Sequence, residues 1–336
     1  MKLSVRISLL IGTIVLITSL GIIVGAERVI TSALEKAIFR EITSNTEVNA
    51  DLLKTKLDAM LTQLCEIATR VRVRSMDWTG IVKETLRPDV SRTDSLEMGL
   101  VFPDGTTHYV TDNSVANLGD RDYVKAAFSG KSTFSDVLIS RVTNQPVVML
   151  ASPVLKNDER GAPVIGALIA RKEGGSFLTG LVAQIRTGRQ SGYGFLVNNE
   201  GTISAHPNPD LVLKQFNPIK EAEKDPSLKS LGDMVATVIK EKSGTAAYVQ
   251  DGKEMICAFT EIPGHRWLLI LTMEKSEVTS HINDIRFTMF VIGGICVVFG
   301  VLFAMITGRS IAKPVVNMAD TMKDVSKGDL TRRIKL

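Results

Sequence analysis

The sequence predicts an α+β chain, with two tandem antiparallel-sheet lobes behind one long helix, bracketed by two apolar segments. Three observations carry this reading. Residues 7–26 and 287–308 form stretches of 20 and 22 residues without a charge, and a helix needs about 20 apolar residues to cross the hydrocarbon core of a bilayer. Leu53, Leu57, Met60, Leu64, Ile67 and Val71 recur at alternating spacings of 4 and 3, the seam of a packed or coiled helix. Downstream, short β-rich runs and Gly-containing turns follow one another in an order that occurs twice.

The first apolar segment follows Lys2 and Arg6 in a short N-terminus, residues 1–6. It exceeds the roughly 7–15 residues of a signal-peptide core, and a helical pattern continues out of it, so an uncleaved anchor is expected. Basic residues flank the outer ends of both segments, Lys2 and Arg6 before the first and Arg309 and Lys313 after the second. The positive-inside rule then places both termini in the cytoplasm and residues 27–286 outside a bacterial inner membrane.

Residues 27–76 read as one stalk helix whose apolar stripe needs a sheet, a partner chain, or both to pack on. Residues 98–102 and 107–111 then flank Pro103-Asp104-Gly105 as a hairpin, because glycine takes the positive φ of the turn without strain. Residues 147–155 and 163–170 form a pair of apolar strands. In the second lobe, residues 193–197 and 202–205 flank a turn at Gly201. A helical stretch at 228–242 and strands at 245–249, 254–262 and 266–272 complete that lobe. The boundaries expected are 77–190 for the first lobe, 191–286 for the second, and 309–336 for a terminal heptad helix. In that helix Ile311, Val315, Met318, Met322 and Val325 form the seam, Pro314 sits in the first turn, and Gly328 ends it.

The order of parts resembles a double Cache sensor, two PAS-like lobes on a stalk helix, followed by the start of a HAMP coiled coil. The residues that carry the resemblance are Leu118-Gly119-Asp120-Arg121-Asp122-Tyr123, Gly130-Lys131, Ser135-Asp136 and Pro146-Val147-Val148 in the first lobe. In the second they are Gly192-Tyr193-Gly194-Phe195, Glu200-Gly201-Thr202 and Ala205-His206-Pro207, and near the end Ile311-Ala312-Lys313-Pro314 and Lys327-Gly328-Asp329-Leu330. The phrase order is most similar to methyl-accepting chemotaxis receptors; histidine kinases and diguanylate cyclases carry such sensors too. The resemblance implies a homodimer that senses a small molecule and relays the signal to chemotaxis kinase and coupling proteins. The sequence ends within the first half of a HAMP unit, so the output module is expected to lie outside it, in a longer protein or in none.

In amino-acid-binding members of that family the membrane-distal lobe holds the ligand, with an Arg and aromatic residues on its carboxylate and an Asp on its amine. Arg121 and Tyr123 match the Arg and an aromatic position, and Phe134 and Asp136 match an aromatic and an acidic one. Arg141 and Thr143, on the loop before Pro146, edge the expected pocket. Where the amine-binding Asp would stand, the chain has Arg171. A guanidinium cannot hold an ammonium and prefers a carboxylate or phosphate, so the expected ligand is an organic acid or other anion. Two plainer readings stand beside this one: Arg121 as a helix cap or surface ion pair, and Arg171 as a solvated strand end.

Other chemistries have little support. Gly130-Lys131-Ser132 ends like a phosphate-binding loop, but that pattern needs glycine where Lys125 stands. The 4 histidines and 3 cysteines are scattered singly, without metal-ligand or disulfide spacing. No nucleophile elbow occurs. Neither a catalytic residue nor a metal or cofactor is expected, a membrane-anchored periplasmic enzyme is disfavoured, and the net charge of +4 gives no reason to expect nucleic acid.

Overall fold

The computed structural model describes residues 3–185, 187 and 190–325. The chain divides into two compact units, residues 39–277 and, separately, residues 1–38 with 278–336.

Helix α1 (Leu3–Ala68) runs without interruption through the first apolar segment. Within it Gly12–Ile30 has a mean hydropathy of 1.9, long and apolar enough to cross a membrane. The helix stops short of the expected residue 76. Arg70 turns extended (ψ 135°) before the four-residue α2 (Val71–Arg74), and its guanidinium pairs with the buried Asp89 carboxylate in α3 (Lys83–Arg92). That ion pair ties down the residue where the helix ends. The heptad seam ends with it: Leu53, Leu57, Leu64 and Ile67 are buried within their own chain, whereas Val71, beyond α1, is 82% exposed.

The first lobe is a seven-stranded antiparallel sheet. Its strands are β1 (Glu97–Val101), β2 (Thr106–Tyr109), β3 (Val115–Asn117), β4 (Thr133–Phe134), β5 (Leu138–Ile139), β6 (Pro146–Leu155) and β7 (Val164–Glu173), with α4 (Asp122–Phe128) between β3 and β4. The order is β3-β2-β1-β7-β6-β4, with β5 paired to β6. Strand β7 extends three residues past the expected end at 170, so Arg171 lies inside the ladder, opposite Glu97 on one side and Met149 on the other. Side chains alternate across a sheet, and the register sorts them. Glu97, Tyr109, Met149, Ile169 and Arg171 share one face, and Met98, Leu150, Ala170 and Lys172 share the other. The first face carries α4: Tyr123, Val124 and Ala127 pack with Leu118 against Val101, Tyr109, Met149 and Ile169. The hairpin turn at Gly105 has φ +84°, and a Cβ there would lie 2.8 Å from the Gly119 Cα, so two backbones meet at van der Waals distance. Only glycine fits that approach.

After α5 (Phe177–Val182) comes the second lobe, with strands β8 (Tyr193–Asn198), β9 (Ile203–Ala205), β10 (Ser243–Gln250), β11 (Lys253–Glu261) and β12 (Trp267–Glu274). The sheet order is β10-β11-β12-β8-β9, all antiparallel. Helices α6 (Pro209–Leu213), α7 (Pro218–Ala222) and α8 (Lys229–Glu241) connect β9 to β10; α8 buries Leu231, Met234, Val235 and Val238. The two lobes meet through side chains. Arg266 Nη1 donates to Asp136 at 3.0 Å, Gln215 Nε2 donates to the Val137 carbonyl at 2.9 Å, and the Phe134 ring lies 5.7 Å from Trp267 and 6.2 Å from Phe177.

The last helix, α9 (Lys275–Val325), is continuous for 51 residues. It contains Phe287–Thr307, a second stretch long and apolar enough to span a bilayer, with mean hydropathy 2.7. Pro314, expected in the first turn of a separate helix, lies inside this one. There its ring removes a single N–H from a long ladder. The expected stop at Gly328 and the Lys327-Gly328-Asp329-Leu330 motif lie outside the described residues.

Candidate functional site

The α4-covered face of the first sheet gathers the groups that can recognise a ligand. Arg171 is 5% exposed, and its Nε and Nη1 are buried without a hydrogen-bond partner. Among the described residues no carboxylate lies within ion-pair distance of it. Its guanidinium sits 5.5 Å from the centre of the Tyr109 ring, a cation–π contact. The reading of Arg171 as a solvated strand end is therefore corrected: it pairs with Glu97 on one side and Met149 on the other, and the β6–β7 ladder runs two residues beyond it. Glu97, directly across the ladder, is equally buried, but its carboxylate is engaged elsewhere, accepting from the backbone N–H groups of Met98, Thr111 and Asp112 at 3.0–3.3 Å.

Arg121 occupies the N-cap position of α4, yet its side chain does not cap the helix. Nη2 donates to the Ile139 carbonyl at 3.3 Å, and Nε is buried without a partner. Its charge acts on two tyrosines of the face that α4 covers. Burial pushes the Tyr109 phenol up to about 12, opposed by the charges of Arg171 and Arg121. Burial likewise raises Tyr123, opposed by Arg121 and Arg141. Asp120 does not pair with Arg121. Arg141 grips it with both nitrogens, Nη1 at 2.6 Å from Oδ1, and also donates to the Asn117 carbonyl at 2.9 Å. That clamp holds the Asp120 carboxyl down at about 2, and fastens the 140s loop over the start of α4.

The seven residues expected from the sequence thus divide. Tyr123 and Arg171 lie on one face of the sheet, with Arg121 at the N-terminus of the helix that covers it and Arg141 bound to the neighbouring Asp120. Thr143 lies exposed in the adjoining turn, its N–H bonded to Ser140 Oγ. Phe134 pairs with Leu150 across β4–β6 and so shares the opposite face. Asp136 bonds to Arg266 of the second lobe. These two sit at the junction between lobes rather than with the arginines. Two further residues of this face, Tyr109 and Glu97, were not among those expected. The signal for Glu97 was an acid opening the otherwise apolar run Glu97–Val101. What the arrangement can offer an anion is N–H donors, since Arg171 is buried against the Tyr109 ring with two unspent nitrogens and the half-buried Arg121 has an unspent Nε.

Two antiparallel-sheet lobes behind one long helix are the architecture of a Cache ligand-binding domain. The chain belongs to the Cache domain family, which it matches over residues 30–282. Among characterised proteins it is similar to the methyl-accepting chemotaxis proteins McpG of Pseudomonas putida, 27% identical over 213 residues, and PctB of Pseudomonas aeruginosa, 25% identical over 220. Those matches cover 61% and 64% of this chain but 30% and 32% of the relatives; the chain spans about a third of their length. Among solved structures it resembles the ligand-binding domain of the Pseudomonas fluorescens chemoreceptor CtaA in complex with L-leucine. The TM-score is 0.57 at 20% identity, over 74% of this chain and 99% of that one. The PctB ligand-binding domain in complex with L-Arg matches with a TM-score of 0.53 at 19% identity, over 72% and 97%. These relatives are chemoreceptors, and these solved structures are chemoreceptor ligand-binding domains.

Proposed function

We propose that this chain is the sensory portion of a transmembrane chemoreceptor whose first lobe binds a small organic anion. The observation that carries the ligand class is Arg171, a buried guanidinium with two unpartnered nitrogens on the face that α4 covers. Burying a charge without a partner is costly, and an incoming carboxylate removes that cost while accepting from both arginines. Tyr109 and Tyr123 form the apolar walls, and the Arg141–Asp120 clamp closes the rim. The ligand acts by population shift, biasing two states only by its differential affinity for them, with a coupling of about 1–3 kcal/mol.

In this reading the segments Gly12–Ile30 and Phe287–Thr307 cross the bacterial inner membrane, with the sensor outside it. The chain functions as a homodimer. Its heptad positions Ile311 to Val325 open a HAMP relay that passes the signal to chemotaxis kinase and coupling proteins. The support is the pair of apolar helices flanking a Cache domain and the naming of its relatives.

A second ligand class has one observation in its favour. The buried Glu97 carboxylate across the ladder from Arg171 could hold an ammonium, and the neighbouring solved domains are complexes with amino acids. A thermal-shift screen of the chain in lipid nanodiscs against monocarboxylates, dicarboxylates and the common amino acids separates the two. Carboxylates are expected to raise the melting temperature by a few degrees, an effect lost in Arg121→Ala and Arg171→Met. Stabilisation by amino acids alone would overturn the anion reading.

A further inference from the structure

The residue after Arg171 points the other way. Lys172 faces the helix side of the same sheet, 7% exposed, against a cavity of about 430 Å³. Helix α1 forms one wall with Met60, Gln63 and Leu64, and the sheet forms the other with Met98, Leu150 and Ala170. Phe177 and Leu181 of α5 close one side. The Lys172 ammonium donates to the Thr93 carbonyl and, at 2.5 Å, to that of Asp94. An ammonium has three N–H donors, so one is left over. The ring of Phe177 lies 5.8 Å from Nζ. Among the described residues no carboxylate comes within ion-pair distance of Lys172, and Arg92, the other cation on the lining, is committed to Asp89 at 3.1 Å. A volume of this size falls within the range of roughly 300–1,000 Å³ typical of small-molecule sites; apolar side chains of α1, α5 and the sheet wall it, the desolvated Lys172 lies at one end, and the loop residues Thr93, Asp94 and Ser95 make a polar edge beside it.

We propose that this cavity is a second ligand site, separate from the arginine face, and that it takes a small monocarboxylate with an apolar body, the carboxylate on Lys172 and the body between α1 and the sheet. The site stands independently of the ligand class assigned to the arginine face, because the two lie on opposite sides of the sheet and share no lining residue. Burial lowers the pKa of Lys172, opposed by the charge of Asp94, and a bound carboxylate would add a direct ion pair where none is made.

The probe is 3-phenylpropionate, titrated calorimetrically into the full chain in lipid nanodiscs, with its uncharged amide as control. Saturable binding is expected for the acid and at least tenfold weaker binding for the amide. Lys172→Met, which keeps the stem and removes the charge, should weaken the acid at least tenfold. Gly180→Leu, at a lining position where an added Cβ meets nothing within 4 Å, should do the same by filling the mouth, without disturbing the ties to Thr93 and Asp94. The comparisons are read in the Arg171→Met background, which silences the arginine face, and saturable binding of the acid to the Lys172 cavity should persist there. The proposal is overturned if no saturable binding occurs, if the amide binds as well as the acid, or if both Lys172→Met and Gly180→Leu bind like the parent. It is also overturned if Arg171→Met abolishes binding, because the probe would then be reporting the other face.

Discussion

Replacing Arg171 with methionine should make the sensor more stable and deaf to its ligand at once. A buried polar group left without a hydrogen bond costs about 1–3 kcal/mol, and Arg171 holds two such nitrogens, Nε and Nη1. Against that relief stands the cation–π contact with Tyr109 at 5.5 Å, of the order of 0.5–1 kcal/mol. The attraction to Glu97 also opposes it, but that carboxylate is already satisfied by three backbone N–H groups. Methionine fills the volume of the lost stem. The net gain works out at about 1 kcal/mol, or roughly 2–4 °C in melting temperature for a domain of this size. The assay is tryptophan fluorescence against temperature. Both tryptophans, Trp78 and Trp267, lie in the 39–277 unit, so the signal reports the sensor rather than the apolar helices. A variant that melts several degrees lower than the parent would refute the reasoning, showing that the guanidinium is structurally partnered and not held in reserve for a ligand.

Three further outcomes follow from the same geometry. Burial pushes His206 down to about 4 from its usual 6.5, so the stability it carries is complete above 6.5 and is lost as pH falls toward 4. That amounts to about 3 kcal/mol, and denaturant midpoints measured between pH 7 and 4 should flatten in His206→Asn. Asp120 is held at about 2 by Arg141; its contribution is present above its usual 3.8 and disappears on acidification from there to about 2, so Arg141→Ala should melt with a shallower pH dependence in that window. Trp267 is fully buried with its indole N–H unpartnered. Trp267→Ala should lower unfolding free energy by about 3–5 kcal/mol, and Trp267→Phe, which removes the orphan donor, by much less.

The periodic features were legible because periodicity is local. The 3.5-residue seam marked α1, the turn glycines at 105 and 201 marked both hairpins, and the apolar runs marked β6, β7 and β12 to within a few residues. What the sequence could not place was face. Phe134 and Asp136 lie only 13 and 15 positions after Arg121, yet β4 pairs with β6 in a register that sends Phe134 to the helix side, toward Trp267. Register depends on partners distant in the chain, and a one-residue shift reverses every side chain. For the same reason nothing in the sequence distinguishes the surroundings of Arg171 from those of the adjacent Lys172, which the ladder sends to the opposite face. The helix break at Arg70 was equally hidden, since its cause is Asp89, 19 residues on.

Phe134 belongs by sequence to the first sheet, but its ring packs against Trp267 and His265 of the second lobe and Phe177 of the connector. A side chain held in common couples the melting of one lobe to that of the other. Neither sheet can open its hydrophobic face there without solvating an aromatic that its neighbour also counts as core. The two lobes should accordingly unfold in a single cooperative step, and slow amide exchange in β6 and β12 should fail together when Phe134 is truncated.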